Sequence, residues 1–473
     1  MAGIGFELQR LTHKGDLSSH VRAVFHASMV IAGPWLMFIL CVLFISLLTE
    51  QKLGLPLLTG FRTKLIYILG LSLLTSAPVL IIAIRMASDS IYFRKFHLIP
   101  QIYLGALYVC ALVTAIVSAP ILIMLLNVPL HDVICIIISC VIASLLWIAL
   151  GFSSSLQSYR SVSLSFATGL LLTTGLIIYS TVHNPSEFHL LSAFSLGFLL
   201  CFLWLSIEVL FTFPTSHYAF KATLTYVAGA MKRYWPLALA AIFNISALWV
   251  DKVIIWQSAE GQLLPSGLRH APAYDSSIFI AQLLLIPPLA LFLIEAETNF
   301  FRNFRSYIQT ITGHGTLVEI REKSENLKTE AIYTLGRITL IQLALCALLV
   351  LFSPMVVEYL NFEYRQAAII RIAAISVLFQ FLFFAASTTL IFINKNMENM
   401  LLQLAFLLLN ASCTYTTLFL PREYLGFGYF VACLTASFLA VATLQNAFRK
   451  LDQHIFFQAR LSLRPNTWYE ALR

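Results

Sequence analysis

Seven ionisable residues stand inside, or at the ends of, long apolar stretches of this chain: Arg85, Asp89, Glu208, Asp251, Lys252, Glu295 and Glu297. Charge is expensive in such surroundings, and where it persists it marks a path for ions or polar substrates. Carboxylates placed there can balance a cation or accept hydrogen bonds from a polar cargo. Lys252 and Arg85 have stems long enough to carry their charge to an interface. Asp251 does not, so it is a candidate to face an aqueous cavity. Neighbours at i,i+1 point about 100° apart on a helix, so Asp251 and Lys252 need not pair. Glu295 and Glu297 close an apolar run, where a carboxylate opposes the helix dipole unless the helix continues. At i,i+2 they point to different faces, which excludes a metal clamp or an acid/base dyad.

No other chemistry competes with these groups. HExxH, GxSxG, Walker A and GxGxxG are absent from the sequence, and no His/Asp/Glu cluster has metal-ligand spacing. The reading is therefore not an enzyme, with no catalytic residue, no metal and no cofactor. His131 and Asp132 are adjacent in a tight turn, which reads as a turn rather than as chemistry. All eight cysteines lie in apolar stretches without a CxxC pair, so neither a disulfide framework nor a zinc site is indicated. Prolines mark bends at Gly33-Pro34, Pro78, Pro120 and Pro287-Pro288. A proline frees carbonyls and kinks a helix, which membranes tolerate beside other helices or a wet cavity. Gly33, Pro34, Pro287 and Pro288 are the candidate gating positions.

The elements that hold these residues are membrane spans. The chain has 473 residues, 59% hydrophobic and only 11% charged, with mean hydropathy +0.85. Soluble domains average about 25% charged, so a soluble, disordered or disulfide-scaffold protein is excluded. Twelve stretches are long enough to cross a bilayer: 24–49, 64–88, 101–127, 130–151, 161–181, 189–212, 234–256, 274–299, 331–353, 366–393, 397–419 and 425–447. The first is too long for a signal-peptide core. Residues 2–13 carry Ile4, Leu8 and Leu11 at helical spacing, which fits either a surface-lying helix or a solvated leader.

The net charge is +8. With the N-terminus inside, 22 Lys and Arg fall on the cytoplasmic side and eight on the other. That asymmetry predicts both termini in the cytoplasm and assigns the basic residues to topology rather than to nucleic acid. The organisation is then a cytoplasmic or interfacial segment (1–22), a six-helix bundle (23–213), a linker (214–233), a second six-helix bundle (234–447) and a cytoplasmic tail (448–473). The 300–330 connection looks structured. Phe300, Phe301, Phe304, Tyr307 and Ile308 share a helical stripe, predicting an extension of the eighth span to about residue 310 along the inner membrane surface. Thr316 and Glu319 fit a capping box for a short helix leading into the ninth span, with Glu319 and Lys323 at i,i+4. This connection either docks a cytoplasmic partner or is a solvated connector.

The opening MAGIGFELQRL, Gly33-Pro34-Trp35, LWVDK at 248–252, YDSS at 274–277 and IEAETNFF at 294–301 form a recognisable set. Together they resemble the PelG family of inner-membrane exopolysaccharide transporters. Length and span count agree throughout; Gln9 and the doubled Pro287-Pro288 depart from the family pattern. The resemblance implies a MATE-like flippase fold, all-α, with two six-helix bundles around a central cavity. It implies transport of Pel, a galactosamine-type polysaccharide, across the bacterial inner membrane. The implied partners are a cytoplasmic glycosyltransferase and two further membrane subunits of a synthase complex. Such a conduit favours acceptors and aromatic faces, which makes Asp251, Glu208, Glu295 and Glu297 candidate acceptors and Trp35 and Trp249 candidate platforms. An ion-coupled small-molecule antiporter, a lipid-linked oligosaccharide flippase and a non-transporting scaffold for the glycosyltransferase remain alternatives.

Overall fold

The computed structural model describes residues 54–155, 159–183, 186–213 and 220–462. The predicted first span, and with it Gly33, Pro34 and Trp35, lies outside these residues, as do the N-terminal segment, part of the linker and the end of the tail. Among the described residues eleven helical stretches are long and apolar enough to cross a membrane, matching the other eleven predicted spans.

The first group of helices is α1 (Leu55–Tyr92), α2 (Leu98–Leu125), α3 (Leu130–Ser155), α4 (Tyr159–His183) and α5 (Glu187–Thr212). Their contact surface is a core running from Leu58 to Val209. In lipid there is no hydrophobic drive between helices, so packing and interhelical hydrogen bonds hold the bundle. Thr75 with Thr114 (2.9 Å), Ser139 with Ser195 (2.6 Å) and Tyr103 with Ser206 (2.7 Å) are such bonds. α6 (Phe220–Arg233) is a short amphipathic helix that packs on α2.

The predicted 64–88 span is longer than expected, because α1 starts at Leu55, after Gly54 and with Pro56 in its first turn. Lys64 sits inside it at 4% side-chain exposure, balanced by Glu187 of α5 at 2.5 Å. Pro78 and Pro120 lie within α1 and α2, both of which continue through them.

The second group begins with α7 (Trp235–Trp256), followed by a two-stranded hairpin, β1 (Gln262–Leu263) and β2 (Arg269–His270). The predicted eighth span is broken. α8 (Pro272–Leu283) stops, α9 (Ile286–Glu295) restarts, a π-helical turn covers Ala296–Phe300, and α10 (Phe301–Thr312) continues. The break has a direct cause: Pro287 and Pro288 have no N–H to offer the carbonyls of Leu283 and Leu284. Leu284 and Leu285 turn with i→i−3 bonds to Ala281 and Gln282 instead. The helix does continue past residue 310, as the aromatic stripe predicted. Yet the stripe faces protein rather than the membrane surface. Tyr307 is fully buried and donates to Asp452 at 2.6 Å, and Phe300 lies 5.8 Å from Phe392.

α11 (Leu317–Tyr359) fuses the short helix expected at its start with the ninth span. Both bonds of the Thr316–Glu319 capping box are present, at 3.3 and 2.9 Å. The cap engages Glu319, and the exposed ion pair that forms on this stretch joins Glu325 and Lys328 at 2.7 Å. At 43 residues and about 1.5 Å per residue, α11 is about 65 Å long, roughly twice the hydrocarbon core. α12 (Gln366–Phe392), α13 (Asn396–Thr417), α14 (Phe427–Arg449) and α15 (Leu451–Ser462) complete the chain. Their shared core runs from Ala247 to Leu451.

A candidate substrate seam between the two halves

α7 is the second half's contribution to the contact with α1. Trp249 and Trp256 are seven residues apart, two helical turns, and so share the face that meets α1. Their rings sit 6.4 Å apart, edge to face. Tyr67 of α1 stacks on Trp256 at 5.0 Å and an interplanar angle of 24°. Gly70, one turn further along α1, lies against Trp249; a Cβ there would come within 3.0 Å of the indole. Three aromatic rings from both halves therefore form one seam, and a glycine lets the backbones approach.

The hairpin fastens this seam at one end of the molecule. Tyr67 donates its hydroxyl to the Arg269 carbonyl at 2.9 Å. The Asn127 N–H, beyond α2, donates to the Ser266 carbonyl at 2.9 Å. Gly267 has φ +88°, and a Cβ on it would meet the Leu125 carbonyl oxygen at 2.3 Å, so glycine is required there. Leu268 is buried in the first half's core. His270 is also buried, and desolvation holds its imidazole below the usual range, favouring the neutral form.

Asp251 lies behind the seam, with no exposed surface. Its carboxylate accepts from the Tyr274 hydroxyl of α8 at 2.7 Å and from the Asn410 amide of α13 at 3.5 Å. Asn410 also donates to the Ala247 carbonyl at 2.7 Å and accepts from Thr414 at 3.0 Å. Helical spacing left the pairing open, and Lys252 does pair with Asp251, at 3.7 Å. Lys252 does not reach for an interface. Helical side chains lean toward the N-terminus, and its ammonium donates to the Leu248 carbonyl at 3.0 Å while lying 5.8 Å from the Trp249 ring. Charge at the seam is thus nearly cancelled, with the cation nearer the aromatic surface. A second carboxylate, Asp275 of α8, accepts from the Trp256 indole at 3.0 and 2.9 Å and from the Ala271 N–H at 3.0 Å, fixing that ring in place.

The other candidates are elsewhere. Glu208 is half-buried one turn from the end of α5, at the side of the bundle where α7 begins; Asp251 is near the other end of α7. Glu295 closes α9 and is taken up by Arg337 of α11, with Asn299 donating to it at 2.7 Å. Glu297 is on the π-helical turn, and its side chain lies outside the described residues. Pro287 and Pro288 begin α9, at the break. Near the same end as Glu208, Arg85 and Asp89 pair at 3.8 Å, and Tyr234 donates to Asp89 at 3.0 Å. The structure therefore brings Asp251 and Trp249 together around Lys252 and leaves Glu208 and Glu295 apart from them.

Tyr67, Trp256 and Asn410 are not among the sequence candidates, and Tyr274 enters there only as part of the YDSS stretch. Asn410, an amide in the middle of a predicted span, was the available signal.

The Glu295–Arg337 pair is partly exposed, so its contribution is about 1 kcal/mol. Arg337→Glu sets two carboxylates face to face and lowers the unfolding temperature of the solubilised protein by several degrees. Adding Glu295→Arg restores it, a reversal that thermal unfolding of the three proteins checks.

A profile of the PelG exopolysaccharide exporters (EPS-E) matches residues 1–456. None of the curated proteins matches the sequence. Among solved structures, the chain resembles a multidrug-resistance MATE family transporter of the MOP superfamily in its outward-facing conformation. The TM-score is 0.64 at 12% identity, covering 91% of this chain and 96% of that one. An inward-facing MATE structure matches with TM-score 0.60 at 14% identity, covering 88% and 95%. A MOP superfamily transporter from Pyrococcus furiosus matches with TM-score 0.60 at 14% identity, covering 91% and 96%. These likenesses show a shared scaffold, and the match along nearly the whole sequence shows the family: the chain belongs to the PelG exopolysaccharide exporters, built on the MATE-like transporter fold.

Proposed function

We propose that this protein carries an amino-sugar polysaccharide of the Pel type across the bacterial inner membrane, by rocking its two halves about the seam. Both termini are placed in the cytoplasm, and the hairpin on the periplasmic side, by the distribution of Lys and Arg. The observation that carries the reading is the Tyr67–Trp256–Trp249 surface shared by both halves. Flat aromatic faces suit sugar rings, and the contact is made and broken as the halves move. With Asp251 balanced by Lys252, the seam favours a nearly uncharged polymer over a polycation. This departs from a path of four acidic acceptors, because Glu208 and Glu295 lie away from the seam. The family resemblance supports a synthase complex containing a cytoplasmic glycosyltransferase and two membrane subunits.

The test locates polymer in cells that lack this protein but keep the glycosyltransferase and its companions. Polymer trapped in the cytoplasm, and returned to the surface by re-expression, is the expected result. Unchanged surface polymer overturns the reading and favours small-molecule transport on the same fold.

A further inference from the structure

Next to the hairpin, on the face that the charge distribution assigns to the periplasm, a cleft of about 500 Å³ opens between the two halves. That is within the range of about 300–1,000 Å³ usual for small-ligand sites, enough for a short oligosaccharide. The seam does not use this cleft, and the His131–Asp132 pair read from the sequence as a plain turn lies in it.

Its walls come from both halves. The first half provides Asn127, His131, Asp132 and Phe188; the hairpin tip provides Pro265 and Ser266. The Asn127–Ser266 backbone bond closes the floor, so the cleft is whole only while the hairpin is engaged. Its charged groups are nearly balanced: Lys64 is paired with Glu187 at 2.5 Å, and Asp132 lies 3.4 Å from His131.

Ser266 Oγ, on a residue 8% exposed, is left without a hydrogen-bond partner among the described residues, and Asp132 Oδ1 has there only the His131 imidazole, 3.4 Å away. Buried polar atoms are normally paired, and an orphan calls for a partner. A ligand carrying hydroxyl or amide N–H groups supplies donors for both. The Phe188 ring, held edge to face by His131 at 5.7 Å, adds an apolar surface of the kind sugar faces lie on. The carboxylates, and the pairing of Lys64 with Glu187, disfavour a uronate or a phosphate.

We infer that this cleft is an exit-side binding site for a short stretch of uncharged N-acetylhexosamine polymer, assembled from both halves when the hairpin closes. The inference rests on the export reading and names a second place where the polymer is held. A ligand held there bridges the halves and favours the closed hairpin.

The test measures binding of N-acetylhexosamine tetramers to the full chain in lipid nanodiscs, with a uronate tetramer as comparison. Asp132→Asn and, separately, Ser266→Trp, which fills the cleft, are expected to weaken tetramer binding at least tenfold. The uronate is expected not to bind. If Asp132→Asn fails to assemble, Ser266→Trp at the hairpin tip, outside the helices, carries the result. Wild-type affinity in an assembled variant, equal binding of the uronate, or no tetramer binding to a chain that still exports polymer in cells overturns the cleft and leaves the export reading intact. Surface polymer that does not depend on the chain overturns the export reading, and this inference with it.

Discussion

Asp251→Ala is expected to cost about 3–5 kcal/mol of stability and to reduce surface polymer at least tenfold. The carboxylate is fully buried and holds together three helices through Tyr274, Asn410 and Lys252. Removing it leaves the ammonium of Lys252 in a low-dielectric interior with the Leu248 carbonyl and the Trp249 ring beside it but no counter-charge in the pair. Breaking a buried pair from one side is far worse than removing both charges. The double variant Asp251→Ala, Lys252→Ala is therefore expected to recover most of the lost stability. Export should not recover with it, because the double variant also removes the cation beside Trp249. Thermal unfolding and a surface-polymer assay on the same three proteins separate the two effects. Normal export by a stable double variant would show that the pair only holds α7 in place.

Joining the hairpin to the α2–α3 turn is expected to stop export reversibly. The Asn127 N–H and the Ser266 carbonyl are 2.9 Å apart, which brings the two backbones into the range of about 4.4–6.8 Å between Cα atoms that a disulfide spans. Asn127→Cys with Ser266→Cys, made in a Cys135→Ser background because Cys135 is one turn from His131 on α3, should cross-link under mild oxidation. Polymer export should then fall at least tenfold and return on adding reductant. Each single-cysteine protein should export regardless of oxidant. Full export with the bond formed would exclude a cycle that separates the halves at this side.

Much of the scaffold is written in hydropathy alone, because each span must satisfy its backbone within itself. The eleven described spans, the break at Pro287-Pro288 and the Thr316 cap follow from local rules and could be read one segment at a time. Errors arose where a charge on one helix is balanced by another. The 64–88 span began nine residues late, at Lys64, and only Glu187, more than a hundred residues later, explains why Lys64 is tolerated inside the helix. The same applies to Glu295, whose partner Arg337 belongs to a different helix. Asp251 was recognisable as a residue of consequence, but its surroundings were not. Tyr274 and Asn410 are neutral, and the bend of Lys252 back along its own helix is a rotamer choice that spacing does not determine. Aromatic pairing across the halves is a tertiary fact: nothing local links Tyr67 to Trp256.

The uninterrupted length of α11 has a mechanical consequence. Its first 14 residues, ahead of the apolar stretch that starts at Ala331, form an arm of about 21 Å at 1.5 Å per residue. The arm has no hinge of its own, since the helix runs unbroken from Leu317 to Tyr359. A tilt of about 10° in the membrane part moves the tip by about 3–4 Å for an arm of that length, and a push of that size at the tip tilts the membrane part in return. Leu317 and Val318 at the tip are exposed, and the shaft is coupled to α15 through the short hairpin with α10 and the Tyr307–Asp452 bond. Motion at one end of α11 is therefore felt at the other as leverage, with no intervening loop to absorb it.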